Sequence, residues 1–153
     1  MMALNTASVV DALVSLCSKT GLFAQVNGHE PKRAPDADLT AAVWAQTVGP
    51  VPDKSGLAAT SALVTFTIRL YTNMLQEPQD AIDPAIVVAT DTLLGDLHGD
   101  FTLGTAVGFV DLLGQTGATL EATAGYLDID GTLYRVMDIN VPVILFDAWS
   151  QTA

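Results

Sequence analysis

Apolar and polar positions alternate most regularly between Val64 and Tyr71. Val64, Phe66, Ile68 and Leu70 fall on one face of an extended chain, and Thr65, Thr67, Arg69 and Tyr71 fall on the other. A period of two, carried by β-branched and aromatic residues, predicts a strand with one buried face. At Met74 the alternation stops, and a polar-rich loop containing Pro78 leads to Asp83-Pro84. A helix is predicted from about residue 84 to about residue 97. Asp83 is its expected N-cap, and Pro84 takes the first helical position, where a missing N–H does no harm. Ile86, Val87, Ala89, Leu93, Leu94 and Leu97 mark its apolar side, and His98-Gly99-Asp100 ends it.

Upstream, Val9, Val10, Leu13, Leu16 and Cys17 recur at helical spacing and predict an amphipathic helix over residues 5 to 19. Asn5 or Thr6 caps it, and Gly21 is the expected stop. A short extended piece follows around Ala24 to Val26. Asn27 to Leu39, with an Asn-Gly pair, two prolines and mixed charges, reads as a surface loop. Ala41 to Val48 reads as a short strand ended by Gly49-Pro50-Val51-Pro52, and Asp53 to Gly56 turns the chain into the alternating strand.

Downstream the pattern is β. Phe101 to Val110 is expected to be a strand bulged or twisted at Gly104 and Gly108. Thr119 to Ile129 and Leu133 to Phe146 are expected to form a hairpin around Asp130-Gly131, a favoured pair for a tight turn. Along the last strand Val136, Asp138, Asn140 and Pro142 oppose Met137, Ile139, Val141 and Val143, and Trp149 either seals the core or faces a partner. Five or six strands and two helices, not in βαβ order, predict an α+β fold. Its sheet is mainly antiparallel, with two helices packed against one side, in a single domain spanning 1-153.

Charge narrows the function. The formal net charge is −11, and the six basic residues are Lys19, Lys32, Arg33, Lys54, Arg69 and Arg135. Apart from Lys32-Arg33 they do not cluster, so the chain supplies no basic groove for conventional nucleic-acid binding. An acidic wall would instead suit a protein that DNA must pass without sticking. Cys17 is the sole cysteine, which excludes an intramolecular disulfide, and it reads as a small core residue. No apolar run approaches the ~18 residues of a membrane span, and the N-terminus has no secretory pattern. The expected place of synthesis is therefore a cytoplasm.

Candidate chemistry is sparse. Asp128-Ile129-Asp130-Gly131-Thr132-Leu133 matches the opening pattern of haloacid-dehalogenase-like phosphohydrolases, in which the first Asp is the nucleophile and the second the acid–base. That chemistry also needs a later Lys and a second acidic pair, yet none of the twenty residues after Leu133 is Lys. The same Asp-Gly explains itself as a hairpin turn. A calcium loop would need a closing Glu. His29-Glu30 has no second His at ligand spacing. No catalytic, metal or cofactor-binding residue is expected, and the phosphohydrolase built on Asp128 and Asp130 is a remote alternative.

Several stretches together resemble the tail terminator proteins of long-tailed, siphovirus-type phages of actinobacteria. They are Thr20-Gly21-Leu22-Phe23, His29-Glu30-Pro31-Lys32, Trp44 with Gly49-Pro50-Val51-Pro52, Ser55 to Ser61, and Phe66-Thr67-Ile68-Arg69. The most distinctive are Tyr71-Thr72-Asn73-Met74-Leu75-Gln76-Glu77-Pro78-Gln79-Asp80 and Asp111-Leu112-Leu113-Gly114. Gly125 to Gly131 and Tyr134 to Asp138 complete the likeness, which covers nearly the whole chain.

The resemblance implies a virion structural protein without catalytic residues. Its subunits form a homo-hexameric ring at the head-proximal end of the tail tube, in the neck. The ring ends tube polymerisation and joins the tail to the head-completion (stopper) protein. Double-stranded DNA passes through the lumen without specific binding. Another neck component, stopper or adaptor, or a tail-tube-like subunit are the alternatives. For the subunit or tail interface the candidates are Arg69, Tyr71, Met74, Leu75, Glu77, Pro78, Asp80 and Arg135. Asn73 to Ile82 mixes apolar residues with acids as a docking loop would, although an ordinary solvated connection has the same composition. Arg69 or Arg135 is expected to bridge to an acid, across a subunit boundary or within one subunit.

Overall fold

The computed structural model describes residues 4–31, 39–73 and 82–152. Helix α1 spans Thr6–Lys19, and Asn5 caps it by accepting the Ser8 N–H through its side-chain oxygen at 3.2 Å. Val9, Leu13 and Cys17, one turn apart, are its buried residues. At the far end the Thr20 hydroxyl donates to the Cys17 carbonyl at 2.7 Å, which satisfies one of the orphan carbonyls of the last turn.

Six strands follow in chain order: β1 Gln25–Asn27, β2 Thr40–Pro50, β3 Ala59–Asn73, β4 Phe109–Val110, β5 Glu121–Ile129 and β6 Thr132–Ser150. They form one sheet in the order β1-β2-β3-β6-β4, with β5 also paired to β6. Every pairing is antiparallel except β1 with β2. β5 reaches only to Asn140 and β4 begins at Val143, so Pro142, which has no N–H to give a ladder, lies in the interval between them. The chain is thus an α+β fold, as its pattern predicts.

The alternation sets which side is covered. Phe66 lies between Ala45 and Val141, and Ile68 between Val43 and Ile139. This face joins Val9, Leu13 and Cys17 of α1, and Ile86, Ala89, Leu93 and Leu97 of helix α2 (Ile82–Gly99), in one core. Both helices therefore pack on the same side of the sheet. Fully burying a residue such as Phe66 stabilises by about 1.5–3 kcal/mol, enough to fix the strand register.

Several boundaries differ from the sequence reading, each for a local reason. α2 begins at Ile82, so Asp83 stands inside the first turn and is not the N-cap; Pro84 still fits, because first-turn N–H groups have no intrahelical acceptor. Phe101 to Val110 is not a strand except for Phe109–Val110. The Asp100 carboxylate accepts the Gly104 N–H at 3.1 Å, and Leu103 and Thr105 take positive φ, which coils the chain into turns. β6 runs past Phe146 to Ser150, and Trp149 is half-buried against the core. The hairpin is as expected. Asp130 (φ 52°) and Gly131 (φ 81°) both occupy the left-handed region, as a two-residue turn between Ile129 and Thr132 requires.

The face opposite the helices is not wholly solvated. Ala42, Tyr71, Tyr134 and Val136 form a second, smaller buried cluster there, flanked by Trp44, Leu127 and Ile129. Alternation alone gives Tyr71 to the exposed side; the large residues beside it in the sheet bury it instead.

Candidate functional site

Register brings the helix-free face together around Arg69. Asp138 is its direct partner on β6, and Ala42 lies opposite it on β2. Arg69 Nε donates to Asp138 Oδ1 at 2.5 Å and Nη2 to Oδ2 at 3.1 Å, a two-point contact matched to a carboxylate. The Trp44 ring lies 5.1 Å from the guanidinium carbon and the Tyr71 ring 6.0 Å away. The hydrogen bond to Asp138 raises the Arg69 pKa, with burial opposing it. The Tyr71 phenol is raised by burial, with Arg69 working the other way. Tyr71 is 1% exposed and meets Tyr134 edge to face at 6.2 Å, so its ring serves packing within the chain.

Arg135 organises a second junction on the helix side. Its Nε donates to Asp83 Oδ1 at 3.0 Å, Nη1 donates to the Gly125 carbonyl at 3.3 Å, and the guanidinium sits 4.5 Å from the Tyr126 ring. Asp83 is well exposed, so the pair fastens the start of α2 to the sheet more by geometry than by charge energy. Both strand arginines thus pair within the chain.

Of the remaining interface candidates, Met74, Leu75, Glu77, Pro78 and Asp80 lie outside the described residues. Asp128 and Asp130 are brought together only as parts of the hairpin turn, where Asp128 Oδ1 accepts the Gly131 N–H at 2.9 Å. Among the described residues no group of His, Cys, Asp and Glu could hold a metal ion. His29 Nδ1 lies 3.1 Å from the Glu30 carbonyl oxygen, not against a second ligand. Burial, and after it Asp96, pushes the Cys17 thiol up to about 12, which keeps it protonated and unreactive. No described helix is long and apolar enough to cross a membrane.

Three features of the site have no local signature in the sequence. Trp44 stacks on Arg69 only because β2 and β3 pair in one register. Asp111, 2% exposed, ties its own loop: its carboxylate accepts the N–H of Gln115 at 2.9 Å, the N–H of Thr116 at 2.8 Å, and the Thr116 hydroxyl. Ser61, fully buried, donates to the Lys54 carbonyl at 2.7 Å and accepts the Asp147 N–H at 3.2 Å across the bulge between β3 and β6. For Asp111 and Ser61 the sequence shows only a polar residue inside an apolar run, which by itself names no partner.

The sheet's two margins are unlike. Within the described residues β5 pairs only with β6, and β2 beyond Ala42 pairs only with β3. One open edge therefore reads Glu121 to Ile129 and the other Val43 to Pro50. Neither a family model nor a curated protein sequence matches the chain.

Proposed function

We propose that the chain is a tail terminator subunit of a siphovirus-type phage: a virion neck protein that closes into a homo-hexameric ring on the tail tube. The observation that carries this reading is the pair of open edges at the two margins of one sheet. A closed ring needs a heterologous contact, in which one patch meets a different patch on the neighbour. Unlike strand edges, neither protected by lysine, supply such a pair.

Charge supports the same reading. DNA passing through the ring must not be retained, and the chain carries −11 with Arg69 and Arg135 already committed to Asp138 and Asp83. The sequence resemblance adds the tail tube and the head-completion protein as the partners of the two ring faces. On this reading the chain performs no catalytic step and takes no cofactor.

The reading is tested on growing tubes. Purified protein is added to polymerising tail-tube protein of the same phage, and tube lengths are measured by negative-stain microscopy. The expected result is shortened tubes capped at one end. Unchanged lengths, or protein incorporated along the tube, would point to the stopper or tube-like alternatives.

A further inference from the structure

We propose that Asn27 is a self-modification site, at which the side-chain amide is lost to the chain's own backbone and the residue becomes aspartate or isoaspartate. The Asn27-Gly28 pair reads as a turn in the sequence, and the fold does not use it as one. Asn27 is the last residue of β1, paired with Ala42, and Gly28 stays out of the left-handed region that a tight Asn-Gly turn requires. Space is what sets glycine there: a Cβ at Gly28 would stand 3.3 Å from Val10 Cγ1 and 3.7 Å from Val14 Cγ2 of α1. Of the asparagines Asn5, Asn27, Asn73 and Asn140, Asn27 alone precedes a glycine.

The reaction needs only water. A base in solvent takes the Gly28 N–H proton, and the nitrogen attacks Cγ of Asn27. A C–N bond forms, the Cγ–Nδ2 bond breaks, and ammonia departs to leave a cyclic imide. Water then opens either imide carbonyl. One opening gives aspartate, and the other gives isoaspartate, whose main chain runs through Cγ. Gly28 is exposed and has no side chain to hinder the approach of its nitrogen to Cγ. Gln25 Nε2 donates to Asn27 Oδ1 at 3.0 Å, on the oxygen that takes up negative charge as the ring closes. β1 is three residues long and lies at the margin of the sheet, so the opening that ring closure needs is local.

The product changes the fold as well as the charge. Isoaspartate inserts an extra carbon into the main chain at the end of β1. Residue 27 then loses its register with Ala42, and Gly28 is moved off Val10 and Val14. In the unmodified chain β1 covers β2 at Thr40, Ala41 and Ala42. Its release leaves the open edge of β2 running from Thr40 to Pro50 instead of from Val43. The modification therefore lengthens one open margin of the sheet. Neither the reaction nor its test depends on the terminator reading.

The test ages the full chain in warm, mildly alkaline buffer, both folded and in urea. Peptide mass spectrometry follows each asparagine, and enzymatic methylation reads isoaspartate. In the folded chain Asn27 is expected to convert ahead of Asn5, Asn73 and Asn140, within about tenfold of its rate in urea, with isoaspartate among the products. Gln25→Ala should slow the folded reaction by about threefold or more and leave the rate in urea unchanged. Amide hydrogen exchange of the aged protein should rise at residues 25–27 and 40–42 and stay as before in β3 and β6. Folded conversion more than about tenfold slower than in urea would overturn the proposal, because the fold would then protect the site. So would conversion no faster than at the other asparagines, an unchanged folded rate in Gln25→Ala, or unchanged exchange at residues 25–27 and 40–42.

Discussion

Arg69 and Asp138 face each other across β3 and β6 on the side of the sheet that carries no helix, with Nε 2.5 Å from Oδ1. The side chains are 19% and 35% exposed, so water reaches Asp138 and discounts the charge term. Two hydrogen bonds and the Trp44 ring remain. Asp138→Ala leaves a half-buried guanidinium without its acceptor and is expected to cost about 1–2 kcal/mol in urea unfolding. Arg69→Lys keeps the charge but loses the fork geometry, and should fall between the wild type and Asp138→Ala.

The strand itself is the stability determinant. Phe66 is fully buried between Ala45 and Val141, under the two helices. Phe66→Ala removes the ring and leaves a cavity in a core that can relax only partly. The expected loss is about 3–5 kcal/mol, read as a lowered denaturation midpoint with unchanged slope.

Asp111 gives the fold an acid-sensitive contact. Burial raises its pKa, but hydrogen bonds from the Thr116 hydroxyl and the N–H groups of Thr116, Gln115 and Gly114 outweigh that and hold it below its ordinary value of 3.8. A depressed folded pKa means that the unfolded chain binds the proton more readily. The stabilisation is therefore complete above the unfolded pKa and is lost as pH falls through the folded one. Asp111→Asn, which replaces an acceptor by a donor, should cost about 1–3 kcal/mol near neutral pH. That gap should narrow below about pH 4. Chemical denaturation of both proteins across pH reads it directly.

Much of the architecture is legible in the sequence because it follows from periodicity. The faces of β3 and β6, the apolar stripe of α1 and the Asp130-Gly131 turn are all local patterns. What resists reading is long-range or competitive. Phe101 to Val110 carries strand-like residues, yet the Asp100 side chain captures the backbone N–H of Gly104 and coils it. Tyr71 lies on the face that alternation gives to water and is buried by Tyr134, a pairing that only sheet register creates. The same holds for the partners of Arg69 and Arg135, far away along the chain.

Leu75 lies outside the described residues, in the stretch from Asn73 to Ile82 whose composition suits a docking loop or an ordinary connection. If the stretch docks a partner as proposed, Leu75→Asp is expected to leave thermal unfolding within about 0.5 kcal/mol of the wild type while impairing tail assembly in a complementation assay. Intact assembly with Leu75→Asp would make this stretch an ordinary connection.

The most direct test of the terminator reading is the phenotype of phage lacking this chain, scored by electron microscopy of lysates. The account predicts overlong tails without heads, restored to normal length when the chain is supplied in trans and gold-labelled at the head-proximal end. Normal-length tails joined to DNA-filled heads in its absence would contradict it.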